Sequence, residues 1–293
     1  MVERLTSPSN PTLKRLRSLH EKKFRRADGR FLAEGLRIVA EAVEAGVVPE
    51  VLVFGQDSAS HPLVERLVAA TEGGGGSAIE TSSDMLGKLT GKDNPQAVVG
   101  VFRQHPLPLA RLDRSQAKIW IVCQSLKDPG NLGTILRTGD AVGAGGVILL
   151  DDSCDPFSTE AVRASMGAIF TQSVTISDGP SFFNWLRAEP GSFLAGAALS
   201  GAVDYRRVAY PAPTFVMMGN EQAGLPESYA NQCDALVKLP MRGKADSLNV
   251  AVATAVLLYE VLGQHAAHVP AQLPNTGERA MITTSTGAPV RQP

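Results

Sequence analysis

The stretch Phe215-Val216-Met217-Met218-Gly219-Asn220-Glu221-Gln222-Ala223-Gly224-Leu225-Pro226 decides the fold class. Its first four residues form a continuous apolar run of strand length, the signature of a strand buried on both faces. The glycine that ends the run lets a ligand approach the backbone with no Cβ in the way. Polar Asn220 and Glu221 follow at once. Such strands belong to mostly parallel sheets covered by helices, in which ligands bind at the carboxyl ends of the strands. Glu221 can accept a hydrogen bond or pair with an arginine in that crevice; taken alone, it reads better as a helix-start carboxylate favoured by the macrodipole.

The same grammar extends outward from this stretch. Strand-length apolar runs at Ile119–Cys123, Val147–Leu150, Val174–Ile176, Phe193–Ala197, Phe215–Met218 and Leu236–Leu239 alternate with helical patterns at Leu132–Val142, Thr159–Ala164, Ser181–Ala188 and Val250–Leu262. Two further strand ends carry chemistry. In Lys127-Asp128-Pro129-Gly130-Asn131-Leu132-Gly133, Asn131 can cap the following helix, and Arg137 lies between one and two turns inside it, within reach of the crevice. In Leu239-Pro240-Met241-Arg242-Gly243-Lys244-Ala245-Asp246-Ser247-Leu248-Asn249-Val250, Ser247 or Asn249 can cap the helix that starts near 250. Leu239, Met241 and Leu248 are apolar where a bare capping loop needs none, so the loop reads as enclosing something partly apolar. Walker A, strand-following GxGxxG and HExxH motifs are absent, which removes support for nucleotide hydrolysis, Rossmann dinucleotide use and zinc proteolysis. Gly143-Ala144-Gly145-Gly146 follows a helix and reads as its C-terminal turn.

Toward the N-terminus, Leu13, Leu16 and Leu19 mark an amphipathic helix over Asn10–Glu21 with a cationic face, and a second helix is expected over Phe31–Ala45. Strands at Val51–Phe54 and Ala97–Phe102 flank helices at His61–Ala70 and Ser82–Leu89. The four glycines 73–76 read as a flexible surface turn with no phosphate-binding role, since no helix start follows. Pro106 and Pro108 open a linker over 106–116, which divides the chain into units at 1–105 and 117–265. Residues 266–293, rich in Pro, Thr and Ala, are expected to form a disordered tail.

The 293 residues, 44% apolar and 19% charged, describe an ordinary globular chain of about two domains, not a disordered, collagenous or coiled-coil one. A net charge of −1 argues against holding nucleic acid by bulk charge. The charge is uneven, however. Residues 1–30 hold nine Lys or Arg against three Asp or Glu, a net of +6, so the other 263 sum to −7. Cys123, Cys154 and Cys233 lie far apart, which suggests neither a zinc site nor a disulfide framework and points to a reducing compartment. With no apolar leader and no membrane-length apolar run, a cytoplasmic protein is expected.

In order, Asn131-Leu132-Gly133 with Arg137-Thr138, then Gly219-Asn220-Glu221 with Gly224-Leu225, then Leu239-Pro240-Met241 with Gly243 and Ser247-Leu248-Asn249-Val250 resemble the three signature motifs of the SpoU (TrmH-like) branch of the SPOUT RNA 2′-O-ribose methyltransferases. Arg163-Ala164-Ser165-Met166-Gly167-Ala168 is also similar to the family. The resemblance covers roughly residues 117–265. The segments Gly29-Arg30-Phe31-Leu32-Ala33-Glu34-Gly35 and Pro95-Gln96-Ala97-Val98-Val99 are similar to the L30e-like substrate-binding domain often fused ahead of it.

The resemblance implies an α/β fold whose C-terminal portion is tied in a deep trefoil knot, preceded by a smaller L30e-like α/β domain. It implies that S-adenosylmethionine sits bent in the knot, held near Gly219, Leu239 and Leu248, with no metal, and that the protein is a homodimer with the site near the subunit interface. A ribose 2′-hydroxyl attacks the sulfonium methyl. In the family the arginine matching Arg137 is proposed as the base; because a guanidinium stays protonated, Arg137 is expected first to hold a phosphate and stabilise the developing alkoxide, with the base role left open. Asn131, Glu221, Ser247 and Asn249 form its supporting shell. The substrate is RNA, ribosomal RNA before tRNA because of the two-domain layout. Arg15, Arg17, Lys22, Lys23, Arg25 and Arg26 become candidate phosphate contacts. The rival reading is a non-catalytic RNA-binding protein of the same fold.

Overall fold

The computed structural model describes residues 2–266 apart from 8, 93–95 and 201, so the tail expected over 266–293 lies, after Ala266, outside the described residues. The first unit runs β1 (Glu3–Leu5), α1 (Pro11–Ser18), α2 (Lys22–Asp28), β2 (Arg30–Glu34), α3 (Leu36–Glu44), β3 (Val51–Gly55), α4 (Pro62–Gly73), β4 (Ser77–Thr81), α5 (Ser83–Thr90) and β5 (Val98–Arg103). Its five strands form a mixed sheet in the order β1-β4-β3-β5-β2. The helix expected from Phe31 is instead the strand β2 followed by α3. Phe31, Leu32 and Ala33 are all buried, and β2 pairs antiparallel with β5, Phe31 opposite Phe102. Gly35, at φ +115°, turns the chain from that strand into α3. The helix expected over Asn10–Glu21 is α1, capped by Asn10 through the Thr12 N–H and ended at Ser18, and a separate helix α2 starts at Lys22.

The second unit runs β6 (Ile119–Gln124), α6 (Pro129–Ala141), β7 (Gly146–Leu150), α7 (Thr159–Ser165), β8 (Ser173–Ser177), α8 (Gly179–Arg187), β9 (Phe193–Ala197), β10 (Val203–Asp204), β11 (Thr214–Met218), α9 (Glu227–Ala230), β12 (Ala235–Lys238) and α10 (Val250–Ala266). All its strand pairings are parallel, in the order β10-β12-β9-β11-β6-β7-β8. The order turns at the centre of the sheet: β9 and β11 lie to one side of β6, and β7 and β8 to the other. Such a switch point opens a crevice at the strand ends. Helix α10 returns from the far side to bury Leu257, Leu258 and Val261 against β11, β6 and α6. Helices α6 and α7 cross at Gly133, where a Cβ would lie 2.4 Å from that of Ala164 and 2.5 Å from the Ala161 carbonyl oxygen. Among the described residues no helix is long and apolar enough to cross a membrane.

Between the two sheets, the 106–116 segment is packed down. Leu112 is buried, the Leu107 N–H donates to the Val174 carbonyl, and Arg114 donates to the carbonyls of Trp185 and Leu186. The units also meet directly. Phe31 and Phe102 of the first interlock with Phe157 and Phe170 of the second, with ring centroids 4.6–5.9 Å apart. Beside these rings Arg25, expected at the RNA surface, is buried. Its side chain is 4% exposed and donates through Nε and Nη2 to Asp155 Oδ2 at 3.0 and 2.7 Å, and through Nη1 to the carbonyls of Leu19 and His20. With four of its five N–H donors committed and its side chain buried, this guanidinium is not presented to a phosphate. Arg15 is partly committed too, to Asp28.

Removing one partner of a buried ion pair strands the other. Arg25→Ala is therefore expected to destabilise the protein by roughly 3–5 kcal/mol in chemical or thermal unfolding. Replacing both partners together, Arg25→Met with Asp155→Leu, should recover most of that loss.

Candidate active site

The loops after β9, β11 and β12 and the start of α10 enclose a cleft of about 400 Å³ at the carboxyl end of the second sheet. Gly219, Leu239, Ser247 and Leu248 all line it, together with Met218, Leu225, Met241 and Leu257. Gly219 is required by its own loop. The chain folds straight back, with reciprocal hydrogen bonds between the backbones of Asn220 and Gly224, so a Cβ on Gly219 would sit 2.3 Å from Gly224 and Leu225 backbone atoms. Asn220 locks this turn. Its Oδ1 accepts from the Gln222 and Ala223 N–H groups, and its Nδ2 donates to the Ser125 carbonyl at 2.8 Å.

Glu221 leaves the β11 loop and reaches the neighbouring strand end. Its Oε1 accepts from the Asp128 N–H at 3.0 Å and its Oε2 from the Lys127 N–H at 3.1 Å, with Asn131 Nδ2 more distant at 3.5 Å. Burial works to raise this carboxyl. The N–H donors of Asp128, Glu221 itself and Lys127, with the Asn131 amide, outweigh it and hold the group below its ordinary value. Glu221 thus sits on a helix N-terminus, but on that of α6 and not of the helix that follows it in the chain, and it is not paired with Arg137.

Helix α6 begins earlier than its apolar periodicity suggests. Asp128, not Asn131, is the N-cap, accepting from the Asn131 N–H at 2.6 Å, and Pro129 holds the first helical position. This frees the Asn131 side chain, whose Oδ1 accepts from Asn249 Nδ2 at 2.9 Å. Asn249 in turn caps α10 through the Ala251 and Val252 N–H groups. Asn131, Glu221 and Asn249 therefore form one hydrogen-bonded group that joins the starts of α6 and α10 beside the cleft. Ser247 lies on the cleft wall. Arg137 is not drawn into the group: it lies roughly 9 Å farther along α6 by helical rise, is exposed, and has no hydrogen bond or ion pair among the described residues.

Of the expected phosphate contacts, Arg17 and Arg26 are exposed, Lys22 is half-buried, and Lys23 pairs with Glu21 at 3.2 Å. Sequence reasoning did not single out the Ala198–Ser200 part of the cleft wall, although the strand end at Ala197 pointed to it. Nor did it give a role to Asn220, whose locking of the turn depends on contact with Ser125, far away in the chain. A third strand-end network was also missed. Asp151, at φ +58°, accepts from Gln124 Nε2, the Tyr229 hydroxyl and the Gly179 N–H.

A sequence model described as the SpoU rRNA Methylase family matches residues 118–259, and one described as an MRM3-like substrate binding domain matches residues 10–100. The chain is similar to the 23S rRNA (guanosine(2553)-2′-O)-methyltransferase RlmP of Bacillus subtilis (strain 168), 31% identical over 263 residues, which are 89% of this chain and all of the relative. It is also similar to the 23S rRNA (uridine(2479)-2′-O)-methyltransferase of Streptomyces viridochromogenes, 32% identical over 80% of this chain and 83% of the relative. Among solved structures, the AdoMet-bound rRNA methyltransferase from Sinorhizobium meliloti superposes with a TM-score of 0.83 at 39% identity, covering 92% of this chain and 99% of that one. A parallel sheet with its cleft at the carboxyl ends of β9, β11 and β12, an ordered set of strand-end motifs and full-length relatives agree: the chain belongs to the SpoU family of RNA methyltransferases.

Proposed function

We propose that this protein transfers a methyl group from S-adenosylmethionine to a ribose 2′-hydroxyl of ribosomal RNA. The observation that carries the proposal is the cleft lined by Gly219, Leu239 and Leu248, set against the Asn131–Glu221–Asn249 group at the start of the helix that bears Arg137. The cleft suits the cofactor. Its walls are partly apolar, and the tight turn that Gly219 allows sets the backbone of the 219–225 loop along the cleft wall. When bound there, the cofactor supplies an electrophilic methyl. The named 23S rRNA activities of relatives aligned along most of the chain support ribosomal RNA as the substrate.

The chain's own residues must position a weakly acidic hydroxyl and stabilise the charge it develops. Arg137 is exposed and uncommitted, so it is available to a substrate phosphate and to the developing alkoxide; its guanidinium stays charged and acts by hydrogen bonding, not as a base. Glu221 and Asn131 fix the start of α6, and hence Arg137, relative to the loops that wall the cleft. Asn249 does the same for α10, and Ser247 presents a hydroxyl at the cleft wall.

Residues 1–105 serve as the substrate-binding unit and 117–265 as the catalytic one. The path from the sheet's far side at β12 through the 239–249 loop to α10, packed centrally, fits a trefoil knot, one of the rare exceptions to unknotted topology. Val252, Val256 and Tyr259 make an apolar stripe on α10, with Val252 and Tyr259 half exposed, and this supports a homodimer formed through that helix. Unpaired cysteines and an rRNA substrate fit work in the cytoplasm.

Incubation with methyl-labelled cofactor should place label on ribose 2′-oxygens of unmodified 23S rRNA; RNA binding without transfer would favour the non-catalytic reading. Arg137→Ala is expected to lower turnover by about 10²-fold or more while cofactor affinity, measured by calorimetry, stays near the wild-type value. The lowered pKa of Glu221 means that its contribution to stability is present above the unfolded carboxylate value of about 4.3 and is lost as pH falls through the lower folded value. The stability difference between wild type and Glu221→Gln should therefore hold steady from neutral pH to about pH 5 and shrink below it. Val252→Glu with Tyr259→Arg should shift the molecular mass seen by light scattering from dimer to monomer.

A further inference from the structure

We propose that Phe24 is a stacking platform for an unpaired RNA base close to the methylated nucleotide. This deepens the RNA methylation reading and rests on it. Phe24 lies on α2 and is 39% exposed, while the apolar needs of its unit are met by Leu13, Leu16 and Leu19, all buried. A single exposed apolar residue is ordinary on a protein surface. Phe24 stands out through its neighbours and its fixed address.

The neighbours are cationic. Lys23 Nζ lies 4.6 Å from the ring centroid while also pairing with Glu21, and Lys22 and Arg26 flank the ring in the chain. An aromatic ring among cations is the arrangement that holds single-stranded nucleic acid: the ring takes the face of a base and the cations take the phosphates on either side. Base stacking of this kind needs no base-specific hydrogen bonds, and duplex RNA, whose bases are already stacked, does not engage it.

The address is set by Arg25, the next residue. Its buried pairing with Asp155 pins α2 to the loop after β7. That loop leads directly to the site. Lys127 Nζ is 2.7 Å from Asp152 Oδ2, and the Lys127 N–H donates to Glu221. The charge of Lys22 also reaches the Asp152 carboxylate, adding to the larger effect of Lys127 in holding it below its ordinary value. Phe24 is thus exposed, has the Lys23 ammonium beside its ring, lies in a helix rich in cations, and is tied through Arg25 to the loop that contacts Lys127.

The test uses the full-length protein and two probes, a short oligoadenylate and an abasic ribose–phosphate strand of equal length, with dissociation constants read by fluorescence anisotropy at fixed salt. Phe24→Ala is expected to weaken oligoadenylate binding about tenfold, which is about 1.4 kcal/mol, and to leave the abasic strand unaffected. Phe24→Trp should keep or improve the wild-type value. With unmodified 23S rRNA as methyl acceptor, Phe24→Ala should raise KM with little change in kcat. Unchanged oligoadenylate binding in Phe24→Ala, or an equal loss on both strands, overturns the platform while wild-type methyl transfer leaves the enzyme reading standing. Failure of the wild type to bind or methylate any RNA overturns both.

Discussion

The carboxylate of Glu221 holds together the ends of two adjacent strands, β11 and β6, and the arrangement of the site follows from it. A partly buried negative charge must be given donors, and those available are the Lys127 and Asp128 N–H groups at the open end of α6. The charge satisfies the helix end and the helix end keeps the charge ionised, so neither can shift without exposing the other to an unmet polar group. Asn131, one turn in, extends the link to Asn249 and so to α10. Two helices and two loops, distant in sequence, become one polar unit beside an apolar cleft.

The same logic operates where the two sheets meet. Arg25 buries a charge, and the cost is offset only because Asp155 and two carbonyls receive its donors. Four phenylalanines next to it supply the apolar part of the junction. Polar pairing specifies the geometry there, and ring packing contributes the adhesive energy.

How much of this is legible in the sequence depends on the range of the interaction. The parallel sheet, its strands other than the two-residue β10 to within a residue or two, and the cleft residues Gly219, Leu239 and Leu248 follow from local apolar runs and from the rule that ligands sit at strand ends. Phe31–Glu34 misleads because a fully buried strand and a helix segment share a continuous apolar look; pairing with Phe102, some seventy positions away, decides between them. The Asp128-Pro129 pair is a readable helix start, overshadowed by the more conspicuous Asn131. Arg25 is the hardest case. Nothing in a run of basic residues marks the one that turns inward, since its partner Asp155 belongs to a loop of the other unit. The +6 of the first thirty residues is accordingly smaller as a surface charge than as a count, with Arg25 buried against Asp155 and Arg4 and Arg30 paired to Glu80 and Glu50, acids that lie beyond those thirty residues.

The junction at Arg25 and the phenylalanine cluster also bears on which partner would deform when RNA is bound as proposed. With α2 held against the loop that leads to Glu221, the protein offers a template of fixed span, and induced fit falls on the nucleic acid. A nucleotide held in a helix must be unstacked before it can enter, at a cost of a few kcal/mol, whereas one in a loop or a still unfolded strand enters without that penalty. A rigid reader of this kind selects by the flexibility of its substrate. Such a reader would act most readily on RNA that is still open, and would lose access as the RNA folds.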